Sequence, residues 1–179
     1  MSSDKNSLKN KKTQDLALLK TAKHVFKIES DAIASLAKRL GKDFPKAVNI
    51  LNNGKGRLII TGMGKSGLIG QKIAATMSSI GLSAVYMHAA EAIHGDLGLI
   101  SQNDTIIALS NSGETDEIIK LLPTLKRLNC ILIAITGNLK STLASRSDFV
   151  LDVSVKEEAG GNGLIPTAST TAMVAMGDA

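Results

Sequence analysis

Two short stretches of this 179-residue sequence concentrate groups that grip an anion. Gly62-Met63-Gly64-Lys65-Ser66-Gly67 sets three glycines around a cation and a hydroxyl. Ser110-Asn111-Ser112-Gly113-Glu114-Thr115 sets three hydroxyls and an amide around one glycine. Each follows an apolar run and opens a helical pattern. Glycine bares backbone N–H groups, a helix N-terminus aims them outward, and hydroxyls add donors; together they suit a phosphate monoester. The first stretch also matches G-x-G-x-x-G. A dinucleotide site requires an acid closing the next strand to hold the ribose, but that strand ends Val85-Tyr86-Met87-His88, with no acid before Glu91. A Walker A loop fails too: Gly64-Lys65-Ser66 supplies its end, while the required earlier glycine falls on Ile59. Plain N-capping by Ser112 or Thr115 is the alternative for the second stretch, yet three hydroxyls exceed what one cap needs. His88, Glu91 and His94 could hold zinc on a helix. Here Met87-His88 ends a strand, so the spacing is interrupted and no metal is assigned.

Such turns need a scaffold that presents them at one rim. After Asn52-Asn53-Gly54, short Ile/Val/Leu runs over 57–61, 83–87, 105–110, 131–136 and 149–153 alternate with helical patterns near 66–80, 115–128 and 141–145. Uninterrupted apolar strands between helices predict a parallel sheet covered on both faces. The expected class is therefore α/β, a three-layer α/β/α sandwich with a mainly parallel five-stranded sheet. In such folds ligands bind outside the carboxyl ends of the strands. Those ends are the two turns above and Thr136-Gly137-Asn138. Upstream, Leu16, Leu19, Ala22, Phe26, Ile33, Leu36 and Leu40 recur at helical spacing and predict one long amphipathic helix over 15–40 with a lysine-rich outer face. Gly41 stops it and a shorter helix follows near 44–51. Residues 1–14 are polar and are expected to form a flexible basic leader.

Composition removes other classes. Aromatics make up 2% of the chain, which argues against a site built on stacked rings. No apolar run reaches the roughly 18 residues of a membrane span. The single cysteine, Cys130, excludes an intramolecular disulfide and a cysteine zinc cage, and fits a cytoplasmic protein; it is expected as a small buried hydrophobe. The net charge of +5 is concentrated upstream: residues 1–56 hold 12 Lys/Arg against 5 Asp/Glu, while residues 57–179 hold 9 against 11. The part carrying the two turns is thus slightly acidic, and nucleic acid is not an expected partner. His24 is expected at a surface or interface.

Taken together, Thr61-Gly62-Met63-Gly64-Lys65-Ser66-Gly67, His94-Gly95-Asp96-Leu97-Gly98, Ser110-Asn111-Ser112-Gly113-Glu114 and Pro166-Thr167-Ala168-Ser169-Thr170-Thr171 resemble the sugar isomerase (SIS) domain, and more closely the D-arabinose 5-phosphate isomerases. The resemblance covers residues 15–179. It implies an aldose–ketose isomerase interconverting D-ribulose 5-phosphate and D-arabinose 5-phosphate through an enediol, without cofactor, for 3-deoxy-D-manno-octulosonate and so lipopolysaccharide or capsule synthesis. It carries catalytic roles onto Lys65, Glu117 and Glu158, the last in preference to Glu157. Substrate contacts would fall to Gly64, Ser66, His94, Ser110, Asn111, Ser112 and Thr115. Family members commonly carry CBS modules and a Ser-His-Pro-Gly-Gly segment beyond this point. Neither occurs in these 179 residues, so the expected organisation is a leader over 1–14 and a C-terminally truncated SIS domain over 15–179. SIS domains generally form dimers or tetramers, in keeping with the apolar stripe of the first helix. The competing readings are an isomerase of another sugar phosphate, such as hexulose 6-phosphate, and a non-catalytic sugar-phosphate sensor.

Overall fold

The computed structural model describes residues 2–160 and 163–179. Five strands, β1 (Leu58–Gly62), β2 (Ala84–His88), β3 (Thr105–Leu109), β4 (Ile131–Thr136) and β5 (Phe149–Asp152), form one sheet in the order β2-β1-β3-β4-β5. Every pairing is parallel, with Leu58 opposite Ala84 and Thr105, Thr105 opposite Ile131, and Ile133 opposite Phe149. The central strands β1 and β3 are buried at every position, because helices cover both faces. Edge strand β2 departs from that pattern, and its Val85 is exposed.

The two faces take alternate residues of each strand. Leu58, Ile60, Ile107, Leu109, Ile133 and Ile135 pack under α1 (Ser2–Arg39), α2 (Asp43–Asn53), α3 (Gly64–Ser79) and α7 (Ala168–Asp178). Ile59, Ile106, Ala108, Leu132 and Ala134 pack under α4 (Ala89–Ile93), α5 (Asp116–Arg127) and α6 (Thr142–Arg146). A short 3-10 turn covers Asp96–Leu99. At the lower end of the sheet the buried Asp104 carboxylate accepts from the amides of Arg57 (2.8 Å) and Ser101 (2.9 Å) and pairs with the Arg57 guanidinium at 3.0 Å, pinning the start of β1 to that of β3. Burial pushes this carboxyl up, but the two amides and the arginine outweigh it, and it titrates below the usual range.

Helix α1 extends beyond its expected start. Its backbone is helical from Ser2, across the segment assigned to the leader, since no glycine or proline interrupts residues 2–39. Among the described side chains of α1, the buried ones lie in its C-terminal third. Ala32 and Leu36 are buried, whereas Leu16, Leu19 and Phe26 are exposed. Arg39 fastens that end, donating through Nη2 to the Ser154 carbonyl (2.7 Å) and lying 3.1 Å from Asp152.

The strand order reverses direction at β1/β3. From β1 the chain leaves to α3 on one face, and from β3 it leaves toward α5 on the other. This topological switch point is where an open α/β sheet makes a crevice. Both anion-gripping turns sit at it.

Candidate active site

At the end of β1, each glycine of the first turn meets a different demand. A Cβ on Gly62 would lie 2.9 Å from the Ser66 carbonyl, so strand and helix could not approach as they do. Gly64 sits at φ +53°, a left-handed conformation that side chains disfavour. A Cβ on Gly67 would lie 2.6 Å from the Tyr86 hydroxyl, which donates to the Gly62 carbonyl at 2.9 Å. Met63, the N-cap of α3, offers no side-chain acceptor, and the first turn carries no acid. The amides of Gly64, Lys65 and Ser66 are therefore left for a ligand. Lys65 is exposed with no side-chain partner among the described residues. Ser66 is half-buried, its Oγ 3.7 Å from the Met173 sulfur.

The second turn is tied together by its own hydroxyls. Ser110 Oγ, buried, lies 2.8 Å from Thr115 Oγ1 and 3.5 Å from Ser112 Oγ, and accepts from the Gly113 amide at 3.0 Å. Ser112 Oγ accepts from the Glu114 amide at 3.2 Å. Thr115 is the N-cap residue of α5, but its hydroxyl turns to Ser110 and makes no capping bond. Capping by Thr115 is thus not what these hydroxyls do. From behind, α6 braces the turn: Glu114 Oε1 accepts from the Thr142 amide (2.7 Å) and the Gly113 carbonyl from the Leu143 amide (3.1 Å). Gly113 stands at φ +66°, and a Cβ there would lie 2.0 Å from Ser141 Oγ. Asn111 is exposed, and its carbonyl accepts from the Gly137 amide at the end of β4.

The two glutamates stand in different surroundings. Glu117, in the first turn of α5, is half-buried, its side chain without a hydrogen bond or ion pair among the described residues. Glu158 is held. Its Oε2 accepts from the Thr167 amide (2.7 Å), the Thr167 hydroxyl (3.1 Å) and the Ser169 amide (3.2 Å), at the N-terminus of α7. Burial pushes its carboxyl up, yet the Ser169 hydroxyl and amide and the Thr167 amide and hydroxyl outweigh that and hold it below the usual range. Helix α7 lies alongside α3 in the same sense, Met173 against Ser66 and Gly177 against Ile73. Its N-terminus therefore brings Glu158 to the same rim as Lys65 and Ser66.

His94 caps the C-terminus of α4, exposed and with no side-chain partner among the described residues. His88 caps the N-terminus of α4, its Nδ1 accepting from the Ala90 amide at 3.3 Å. Among the described residues, no group of three His, Cys, Asp or Glu is placed to hold a metal ion. Hydrogen bonding thus joins Ser110, Ser112 and Thr115 directly. Topology sets Gly64, Lys65, Ser66 and Glu158 beside them, and no bond links His94 or the Glu117 side chain to either turn. Sequence reasoning passed over Tyr86 and Thr167. The signals were the lone tyrosine facing glycines at 67 and 70, and the threonine inside Pro166-Thr167-Ala168-Ser169-Thr170-Thr171.

The SIS domain model matches residues 50–179. The chain belongs to the SIS domain family. Over 167 residues it is 48% identical to the arabinose 5-phosphate isomerase KdsD of Pseudomonas aeruginosa, covering 93% of this chain and 51% of that protein. Over 168 residues it is 45% identical to the arabinose 5-phosphate isomerase KpsF of Escherichia coli O6:H1, again covering 93% and 51%. Among solved structures it resembles E. coli CFT073 c3406 in complex with arabinose 5-phosphate, with a TM-score of 0.86 and 38% identity over 92% of this chain and 87% of that one. The chain spans about half the length of the curated relatives it matches. No helix among the described residues of this SIS domain is long and apolar enough to cross a membrane.

Proposed function

We propose that this SIS domain interconverts D-arabinose 5-phosphate and D-ribulose 5-phosphate. The observation that carries the reading is the meeting of two amide- and hydroxyl-bearing turns at the β1/β3 switch point, in a chain 45–48% identical to arabinose 5-phosphate isomerases. The phosphate rests on Ser66, Ser110, Ser112 and Thr115, with the first-turn amides of α3 and α5 and the nearby Asn111. Gly64 lets the backbone turn under it. With the phosphate fixed, the sugar chain extends toward Lys65 and the carboxylates, and His94 contacts its hydroxyls.

The chemistry is a redox-neutral proton shift. A carboxylate, Glu117 or Glu158, takes the C2 proton of the open aldose while O1 gains one, giving a cis-enediol. Return of a proton to C1 and loss of the O2 proton gives the ketose. Lys65 stabilises the oxyanion that develops between these states. Glu158 has its Oε2 fixed at the head of α7, the posture of an oriented base.

In this reading the protein is a cytoplasmic homo-oligomer, a dimer or tetramer. It supplies arabinose 5-phosphate toward 3-deoxy-D-manno-octulosonate for lipopolysaccharide or capsule. The apolar side chains left exposed along α1 support the assembly. A coupled assay on the 179-residue chain tests the activity, with ribulose 5-phosphate and hexulose 6-phosphate as rival substrates. Turnover of the pentose phosphate is expected. Turnover of the hexulose alone, or tight binding without turnover, contradicts it.

A further inference from the structure

Resting on the reading of Glu158 as a proton-transfer group, we propose that Thr167 is its positioning residue, fixing which carboxylate oxygen faces the substrate. Three donors converge on Glu158 Oε2, two of them from Thr167, and the Ser169 hydroxyl also bonds the carboxylate. The direction of the hydroxyl bond is settled by its other contact. Thr167 Oγ1 accepts from the Ala159 amide at 2.8 Å, so its one proton is free to go to Glu158 at 3.1 Å. Residues 158 and 159 are thereby clasped to the head of α7 from both sides. The carboxylate can turn only by giving up three hydrogen bonds at once.

The clasp is tied in turn to the phosphate turn. Thr170 Oγ1 donates to the Thr167 carbonyl at 2.7 Å, holding the first turn of α7. Further along, Met173 lies against Ser66 and Gly177 against Ile73. The position of Glu158 relative to Lys65 and Ser66 is therefore transmitted through Thr167 and α7. This is a role in orientation, so it acts on the chemical step and leaves phosphate binding alone.

Steady-state turnover of ribulose 5-phosphate by the 179-residue chain tests this, with folding checked by circular dichroism. Thr167→Val removes the hydroxyl at nearly constant volume. It is expected to lower kcat about tenfold, with KM changed less than about twofold. Thr167→Ser should restore kcat. In combination, Thr167→Val with Glu158→Gln should be no slower than Glu158→Gln alone, because Thr167 works only through that carboxylate. Should the valine variant not fold, Thr167→Ala is read in the same way. An unchanged kcat in both variants overturns the proposal, as does a serine variant as slow as valine, or losses that multiply in the double variant. If Glu158→Gln is as fast as the unaltered chain, or the unaltered chain does not turn over, the reading of Glu158 fails first and this inference with it.

Discussion

Ser110, Ser112 and Thr115 carry the same functional group in three environments. Ser110 is buried, and its hydroxyl organises the turn through Thr115 and the Gly113 amide. Ser112 is exposed, accepting from the Glu114 amide at 3.2 Å and lying 3.5 Å from Ser110 Oγ, a long contact that a ligand oxygen can displace. Ser112→Ala should therefore keep the fold and kcat while raising KM for ribulose 5-phosphate about tenfold, the loss of one hydrogen bond to a charged group. Glu158 contributes in another way. Its carboxyl titrates below the usual glutamate value in the folded chain. The stability this adds is present above the unfolded pKa and is lost as pH falls through the depressed folded value. Urea unfolding from about pH 7 down to about pH 3 should show a shallower acid decline for Glu158→Gln than for the unaltered chain. Parallel curves would remove the clasp from the account. Glu158 could be nominated from the sequence by resemblance, but its partners could not. Thr167 is nine residues away and reaches it only because the chain folds back at the head of α7.

At the scale of elements, the strands were legible because a parallel strand buried on both faces is a continuous apolar run. The runs over 105–110 and 131–136 mark β3 and β4 to within a residue. Pairing is non-local and leaves no such mark, so the β2-β1-β3-β4-β5 order, and with it the switch point, came only from the structure. The start of α1 differs from expectation for a related reason: polar composition tells where a helix is solvated, not where it begins. The G-x-G-x-x-G spacing was visible, but the job of its third glycine depends on Tyr86 across the sheet. The turn after β3 depends in the same manner on α6. With Gly113 at φ +66° and no room beside Ser141, Gly113→Ala should cost about 2–4 kcal/mol and displace the turn. The readout is a lowered unfolding midpoint together with weaker inhibition by inorganic phosphate. Unchanged values in both would mean that the turn is not braced as described.

For the whole molecule, the dominant feature is a helix that one chain does not cover. Phe26 is 68% exposed and Leu19 58%, and with the exposed Ile33 they repeat every seven residues along one side of α1. A solvated lysine face explains the rest of α1 but not this stripe. Phe26→Glu should shift the sedimentation mass of the unaltered protein, expected to be dimeric or tetrameric, toward the monomer. A monomeric unaltered protein would contradict the assembly. The five-stranded sheet serves one end throughout, holding two bare turns and the head of α7 at a common rim.

That convergence is tested most directly by a crystal structure with arabinose 5-phosphate bound. The account predicts phosphate density between Ser66 and the Ser110–Ser112–Thr115 hydroxyls, with the sugar running toward Lys65 and Glu158. Phosphate density on any other surface, with those two turns left to solvent, would contradict it.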